Sequence, residues 1–307
     1  MGVYACSRVS VVVLSNPRSG AGRAGRLALQ AAAALAAAGH KVKHLQVGGD
    51  ELLDPERLKK ATALVVVGGD GTVLRSAEAS ARADCPIYHV PTGNENLFSR
   101  QFGMTGDVRA LVRAVESRRV KRVDLGRVAV GTASEPFLLM CSVGPDAGVV
   151  RRLSRSRRRA LGHASYTMPV LAEICAPMLP QLSVWVDGRH LVEGRRGWVI
   201  VANSAQYALR LNPAREAAMD DGLLDVLFMP GSSAVESLLW LLRCARRGDL
   251  GRAGAVLARG RAVGIRAEAE GVCYQVDGET AAYAMDPNRL DIDLSAEAGA
   301  VPVLGQP

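Results

Sequence analysis

The chain has 307 residues, 49% of them hydrophobic and only 4% aromatic, with a formal net charge of +8. That length accommodates two domains of ordinary size, and the Ala-, Val- and Leu-rich apolar mass favours helices on a parallel sheet over an aromatic-rich binding module. No apolar run approaches the roughly 18 residues of a membrane span. Ser10–Leu14 is too short and too close to Asn16-Pro17 for a signal-peptide core, and Cys6 stands where an acylation signal wants Ser or Thr. The six cysteines (Cys6, Cys85, Cys141, Cys175, Cys244 and Cys273) form no Cys-x-x-Cys pair or metal spacing, as expected of free thiols in a reducing cytoplasm.

In chain order, Val9–Leu14 is the first expected buried strand, followed by the turn Asn16-Pro17-Arg18-Ser19-Gly20. An Ala-rich helix over Gly22–Ala38 leads to a short strand at Lys41–Gln46 and a short helix at Pro55–Lys60. The strand Ala63–Val67 feeds Gly68-Gly69-Asp70-Gly71-Thr72, and a helix is expected from Val73 to Arg82. A strand at Ile87–Val90 and a helix at Asp107–Arg118 complete an alternation of strand and helix, the pattern of a parallel sheet covered on both faces.

After Lys121 strand-like stretches follow one another: Arg122–Val130, Phe137–Ser142, Leu182–Val186, Trp198–Ala202, Leu224–Leu227, Ala262–Ala267 and Val272–Val276. Helical stretches interrupt them at Ala147–Arg159, His163–Ala176 and Ser233–Arg246. This is the pattern of a β-rich second domain with helical insertions.

The turn at Gly68–Thr72 carries the most information. Three glycines keep side chains away, so backbone N–H groups approach an anion without steric cost, and the helix start beyond adds donors and partial positive charge. Asp70 would repel phosphate, so its expected roles are to hold a metal ion or to take a proton from an acceptor hydroxyl. The arrangement points to phosphoryl transfer from a nucleotide. Asn16–Gly20 sits at the end of a neighbouring strand, where open parallel sheets bind ligands. In the third turn, Pro91-Thr92-Gly93-Asn94-Glu95-Asn96, Asn94 or Asn96 either caps a helix or meets a base or a metal-bound water. Nearby Arg100 either neutralises phosphate or sits in solvent. Asp277-Gly278-Glu279 is either a hairpin turn or an extended segment with both acids on one face. Asp220, Asp221 and Asp225 offer oxygens dense enough for a hard cation, or make an ordinary turn.

In series, these five turns resemble the soluble diacylglycerol kinase catalytic-domain family, whose relatives include sphingosine and ceramide kinases and NAD kinases. The resemblance covers nearly the whole chain, including Gly144-Pro145-Asp146-Ala147 with the Arg-rich helix, Gly162 and Tyr166. It implies an NAD kinase/phosphofructokinase-like α/β domain over residues 1–122, completed by about 286–307. A β-sandwich lipid or acceptor domain would cover residues 123–285. It further implies a cytoplasmic enzyme that uses ATP and Mg2+ to phosphorylate a lipid hydroxyl of diacylglycerol or a sphingoid-like lipid. Asn16, Pro17, Ser19, Gly20, Gly68, Gly69, Gly71, Thr72, Gly93, Asn94 and Asn96 would line the nucleotide. Asp70, Asp277 and Glu279 would serve the metal and the acceptor hydroxyl, and Leu290–Leu294 would carry the tail back to the first domain.

Two positions depart from the family pattern: Arg75 follows the nucleotide loop where an acid is usual, and Leu97 follows Asn96 where Asp is frequent. Both leave fewer protein carboxylates for magnesium. Arg151, Arg155, Arg158 and Arg159 share a face of one expected helix and offer contact with an anionic membrane, in keeping with a peripheral position at the inner membrane face. Arginines without interleaved aromatics do not form a single-strand stacking platform, so no nucleic-acid partner is expected. Oligomeric state stays open, a homodimer among the options. The competing readings are a kinase for a soluble acceptor such as NAD, and a nucleotide- or lipid-binding homologue without catalysis. The absence of a Gly-Ser-Thr-Ala-Tyr-like segment weighs against the first, while Arg75 and Leu97 motivate the second.

Overall fold

The computed structural model describes residues 10–17, 19–48, 51–156, 176–280, 286 and 288–305. The described residues fall into two compact units, one within Met1–Asp124 and Gly299–Pro307, the other within Leu125–Ala298.

The first unit contains β1 (Ser10–Ser15), α1 (Arg23–Ala37), β2 (Lys41–Gln46), β3 (Ala63–Gly68), α2 (Asp70–Ala83), β4 (Ile87–Pro91), α3 (Leu97–Gln101) and α4 (Val108–Ser117). Strands run parallel in the order β4-β3-β1-β2. All six residues of β3 are buried, as expected of a central parallel strand covered on both faces. Helix α1 buries Ala24, Ala28, Ala31 and Leu35, a stripe at three- and four-residue spacing. Pro55–Leu58 is a 3-10 turn capped by Asp54, shorter than the expected helix. Helix α2 begins at Asp70, three residues before the expected start, with Gly69 at its N-cap. The glycine turn is therefore largely the first turn of a helix.

Strand β5 (Val120–Val130) carries the chain into the second unit. There follow β6 (Ala133–Phe137), β7 (Met140–Val143), α5 (Pro145–Ser156), β8 (Gln181–Val186), β9 (Arg189–Ala202), β10 (Leu224–Pro230), α6 (Ala234–Ala245), β11 (Val256–Gly260), β12 (Ala262–Glu268), β13 (Tyr274–Val276), β14 (Glu279–Thr280) and β15 (Arg289–Leu304). The expected helix at His163–Ala176 lies outside the described residues, apart from Ala176, as do Gly162 and Tyr166. Strand pairing is antiparallel: β8 with β12, β12 with β15, and β9 with β7 and β10.

Alternation builds the core of this unit. Leu182, Val184 and Val186 of β8, Val263, Ile265 and Ala267 of β12, and Leu290, Ile292 and Leu294 of β15 are buried at every second position. They share one core with Cys141 and Val143 of β7, Val199 and Val201 of β9, and Val226 and Phe228 of β10. This is the sandwich logic of inward and outward faces. The expected single strand Phe137–Ser142 is two strands, broken where the N–H groups of residues 138–140 turn to a carboxylate rather than a neighbouring strand. Leu290–Leu294 pairs with β12 inside the second unit, which corrects its expected return to the first. The return is made further along, where Val303 pairs in parallel with Ile87 and Val301, Val303 and Leu304 are buried.

Candidate active site

In the first unit three strand-end loops gather at one place. Ser19 Oγ and Thr92 Oγ1 share a hydrogen bond of 2.9 Å, which ties the loop after β1 to the loop after β4. A Cβ on Gly20 (φ +61°) would lie 2.5 Å from the carbonyl oxygen of Thr92. A Cβ on Gly93 would lie 3.0 Å from Cα of Gly69. The loops thus approach backbone to backbone: a side chain on Gly20 would clash outright, and one on Gly93 would push its neighbours aside by a few tenths of an ångström. Gly68 is packed against a side chain of its own turn instead, a Cβ there lying 2.5 Å from Thr72 Oγ1.

The donors at this junction belong to the start of α2. Thr72 donates its N–H to the Gly69 carbonyl at 2.9 Å, so the N–H groups of Asp70 and Gly71 precede the first intrahelical bond. Such a terminus, in a 14-residue helix, with glycine backbone from a second loop against it, fits a phosphate group sterically and electrostatically. Asn16 is buried and its carbonyl accepts from Ser19 N–H at 2.9 Å, which forms the first turn. Pro17 and Asn94 are exposed, and Arg18 lies outside the described residues.

Asp70 has a structural employment that was not expected. Its Oδ2 accepts the N–H of Leu97 at 2.9 Å, and its Oδ1 the N–H of Phe98 at 3.0 Å. The carboxylate from the second loop thereby caps the short helix that ends the third. Asn96, in the left-handed region at φ +50°, does not cap that helix with its side chain. It accepts from Gly93 N–H at 2.8 Å and donates to the Gly93 carbonyl at 2.7 Å, closing the loop on itself. Arg100 is paired with Glu95 at 3.4 Å.

His89 escaped the sequence reading. It sits fully buried in β4, and its Nε2 donates to the Gly68 carbonyl at 2.9 Å. Burial pushes its pKa below the usual histidine range, against the opposing pull of the Gly68 carbonyl and Asp70, so the ring is neutral. The available signal was a lone polar residue inside the apolar run Ile87-Tyr88-His89-Val90, directly before the third turn.

In the second unit, Asp277 (φ +49°) and Gly278 (φ +81°) form the two-residue turn joining β13 to β14, with Val276 paired to Glu279. This corrects the extended-segment reading that put Asp277 and Glu279 on one face. The Asp277 carboxylate turns to the backbone, accepting from Leu138 at 2.7 Å, Leu139 at 2.8 Å and Met140 at 2.9 Å. Gln275 supports the same turn by accepting from Gly278 N–H at 2.7 Å, and its amide donates to Ser142 Oγ at 2.8 Å. Ser142, Tyr207 and Gln275 all donate to the buried carboxylate of Asp146, Tyr207 at 2.8 Å. Burial pushes the Asp146 carboxyl up, and these donors with the Ala147 N–H pull it back. A buried polar chain therefore leads from Asp146 to the turn that presents Glu279.

The proposed cation site at Asp220, Asp221 and Asp225 is corrected as well. Arg259, directly across from Asp225 in the β10–β11 pair, donates to its Oδ1 at 2.9 Å and lies 3.5 Å from Asp221 Oδ2. A guanidinium already supplies the positive charge these acids face. Among the described residues no cluster of three or more His, Cys, Asp or Glu side chains is placed to hold a metal ion. Of the expected membrane-facing arginines, Arg151 donates to the Gly271 carbonyl. Arg158 and Arg159 lie outside the described residues, as does the side chain of Arg155.

Fold and site define a class: a parallel α/β domain with three glycine-bearing strand ends drawn together, followed by a β-rich sandwich. Residues 10–128 match the diacylglycerol kinase catalytic domain, and residues 140–302 match the YegS C-terminal NAD kinase beta sandwich-like domain. The chain belongs to the diacylglycerol kinase catalytic-domain family. A diacylglycerol kinase of Mycobacterium tuberculosis is 29% identical over 301 residues, covering 96% of this chain and 94% of that protein. The crystal structure of a diacylglycerol kinase from Bacillus anthracis superposes with a TM-score of 0.68 at 16% identity, covering 98% of this chain and 97% of the other. Yeast NADH kinase in complex with NADH superposes at 0.54 with 13% identity, covering 98% and 84%, which extends the likeness of fold to the NAD kinases. Among the described residues no helix is long and apolar enough to cross a membrane.

Proposed function

We propose that this kinase transfers the γ-phosphoryl group of ATP to the hydroxyl of a lipid, diacylglycerol or a sphingoid-like lipid. The observation that carries the reading is the meeting of Ser19, Gly69 and Gly93 around the start of α2, with the backbones of Gly69 and Gly93 in close approach. Gly69, Asp70 and Gly71 would hold the phosphates through N–H groups, and Ser19, Thr72, Gly93 and Asn96 would shape the walls. Asp70 keeps lone pairs beyond the two used by Leu97 and Phe98, since a carboxylate offers about four acceptor sites. It is the first choice to receive the acceptor proton, with Glu279 as the second. Asp277 takes a positioning role, because three N–H groups claim its oxygens.

Magnesium fits this chain as an ion held mainly by phosphate oxygens and water, with Asp70 the one acid of the glycine turn. When bound, it would spread the charge on the transferring phosphoryl group. Membership of the diacylglycerol kinase family and the Mycobacterium tuberculosis relative support the lipid acceptor. The test is mass spectrometry of a mixed lipid extract incubated with the protein, ATP and magnesium, with NAD in a parallel arm. A phosphorylated lipid is expected. Phosphorylated NAD without phosphorylated lipid would replace this reading with the soluble-acceptor one, and nucleotide binding without any product would leave a binding homologue.

A further inference from the structure

Helix α6 is apolar on two opposite faces. Ser237, Trp240 and Cys244 are buried on the inner one. On the outer one Val235, Leu238, Leu239 and Leu242 stand at positions i, i+3, i+4 and i+7, exposed by 67%, 43%, 43% and 40%. A helix that serves only its own unit needs one such stripe.

A depression of about 500 Å3 lies beside the stripe, lined by Arg195, Arg196, Ser232, Leu239, Trp240 and Arg243. Arg243 stacks over the Trp240 ring with its guanidinium carbon 4.7 Å from the centroid, and Arg195 lies 5.5 Å from that of Phe228. None of these three arginines has an ion pair to a carboxylate among the described residues. Glu236 also lines the depression, its Oε2 accepting from Ser232 N–H and the hydroxyls of Ser232 and Ser233, and adds the one negative charge to that lining. Arg246, one turn beyond Leu242, and Arg247 are exposed at the end of the helix. The charge around the leucines is therefore predominantly positive.

We propose that this face of the second unit docks on an anionic phospholipid bilayer. The leucines enter the boundary between headgroups and acyl chains, and the arginine depression takes headgroup phosphates. Interfacial helices combine apolar area with cationic flanks in this way. A second copy of the chain suits the face less well, because a two-fold contact would set its arginine rims against each other. The purpose of the docking rests on the lipid-acceptor reading, whereas the surface itself does not.

The test is flotation of the full chain with vesicles of equimolar phosphatidylglycerol and phosphatidylcholine, against vesicles of phosphatidylcholine alone. The wild type is expected to float with the first and only weakly with the second. Each arginine is worth about fivefold in affinity, so R195Q/R196Q/R243Q should weaken flotation about a hundredfold. The L238S/L242S variant should lose flotation while keeping its thermal melt, since both residues are solvent-exposed. Flotation equal on the two vesicle types, or wild-type flotation by either folded variant, would overturn the proposal. So would light scattering that finds a wild-type dimer and an L238S/L242S monomer. If a variant fails to fold, the wild-type comparison of the two vesicles still decides. Lipid phosphorylation in detergent micelles is read separately: retained with failed flotation, it sinks the docking alone, and lost with intact flotation, it sinks the acceptor reading alone.

Discussion

His89 reaches across from β4 to give its Nε2 hydrogen to the Gly68 carbonyl at 2.9 Å, the same oxygen that receives Thr92 N–H at 2.9 Å. The peptide that opens the glycine turn is thus held from two sides. Its other face is the Gly69 N–H side of the proposed phosphate cradle, so the imidazole acts on that cradle through the backbone. Replacement of His89 by Leu should raise the KM for ATP more than it lowers kcat, as measured by steady-state kinetics.

The same histidine sets a pH dependence. Its folded pKa is lowered from 6.5 by burial, while the unfolded chain protonates near the ordinary value. Below about pH 6.5 the unfolded state therefore binds a proton that the folded state refuses, and stability falls with acidification down to the folded pKa. The His89→Leu variant should show a shallower loss of stability between neutral and mildly acidic pH, read by urea unfolding at several pH values.

Asp70→Asn is expected to lower turnover by roughly 10²–10⁴ if its carboxylate receives the acceptor proton. The amide has one acceptor oxygen, so one of the Leu97 and Phe98 N–H groups loses its partner, at a stability cost of about 0.5–2 kcal/mol. Kinetics beside a thermal melt separates the two effects. Near-normal turnover with a lowered melting temperature would reduce Asp70 to a cap.

Gly93→Ala addresses the loop junction. The new methyl would sit 3.0 Å from Gly69 Cα and 3.0 Å from Asn96 Oδ1, so Gly69 and Asn96 must give by a few tenths of an ångström. Overpacking of this kind costs about 1–3 kcal/mol. ATP binding followed by calorimetry should weaken by about tenfold or more.

Asp277 and Glu279, two residues apart, should behave as different kinds of residue. Asp277→Ala strands three N–H groups, each worth about 1–3 kcal/mol when it is left unpaired away from water, and should lower the melting temperature strongly. Glu279→Gln should leave the melt unchanged and lower turnover. Equal thermal effects in both variants would contradict this division.

Much of the first unit was legible because its signals are local. Buried parallel strands are continuous apolar runs, and the glycine turns that end β1, β3 and β4 identify themselves by composition. What the sequence hid is mostly non-local. Asp70 reads as a chemical acid in its own turn, but its two hydrogen bonds go to residues 27 and 28 positions later. Asp277 meets residues nearly 140 positions earlier, and Asp225 finds Arg259 only because β10 and β11 pair. The first half of β9 is hidden because in Arg189–Arg196 only Leu191 and Val192 are apolar, and the exposed polar residues and glycine around them give no alternation to mark a strand. The outer leucines of α6 carry no mark in the sequence, since spacing alone does not tell which stripe a helix buries.

The last strand has a consequence for biosynthesis. Ile87 of β4 receives its outer neighbour from Val303, more than two hundred residues downstream. While the ribosome is still making the second half, β4 is an uncovered sheet margin, able to recruit a stray strand from a nascent neighbour. A stop codon placed before Val301 should therefore harm the apparently finished N-terminal half, leaving protein that clumps during expression.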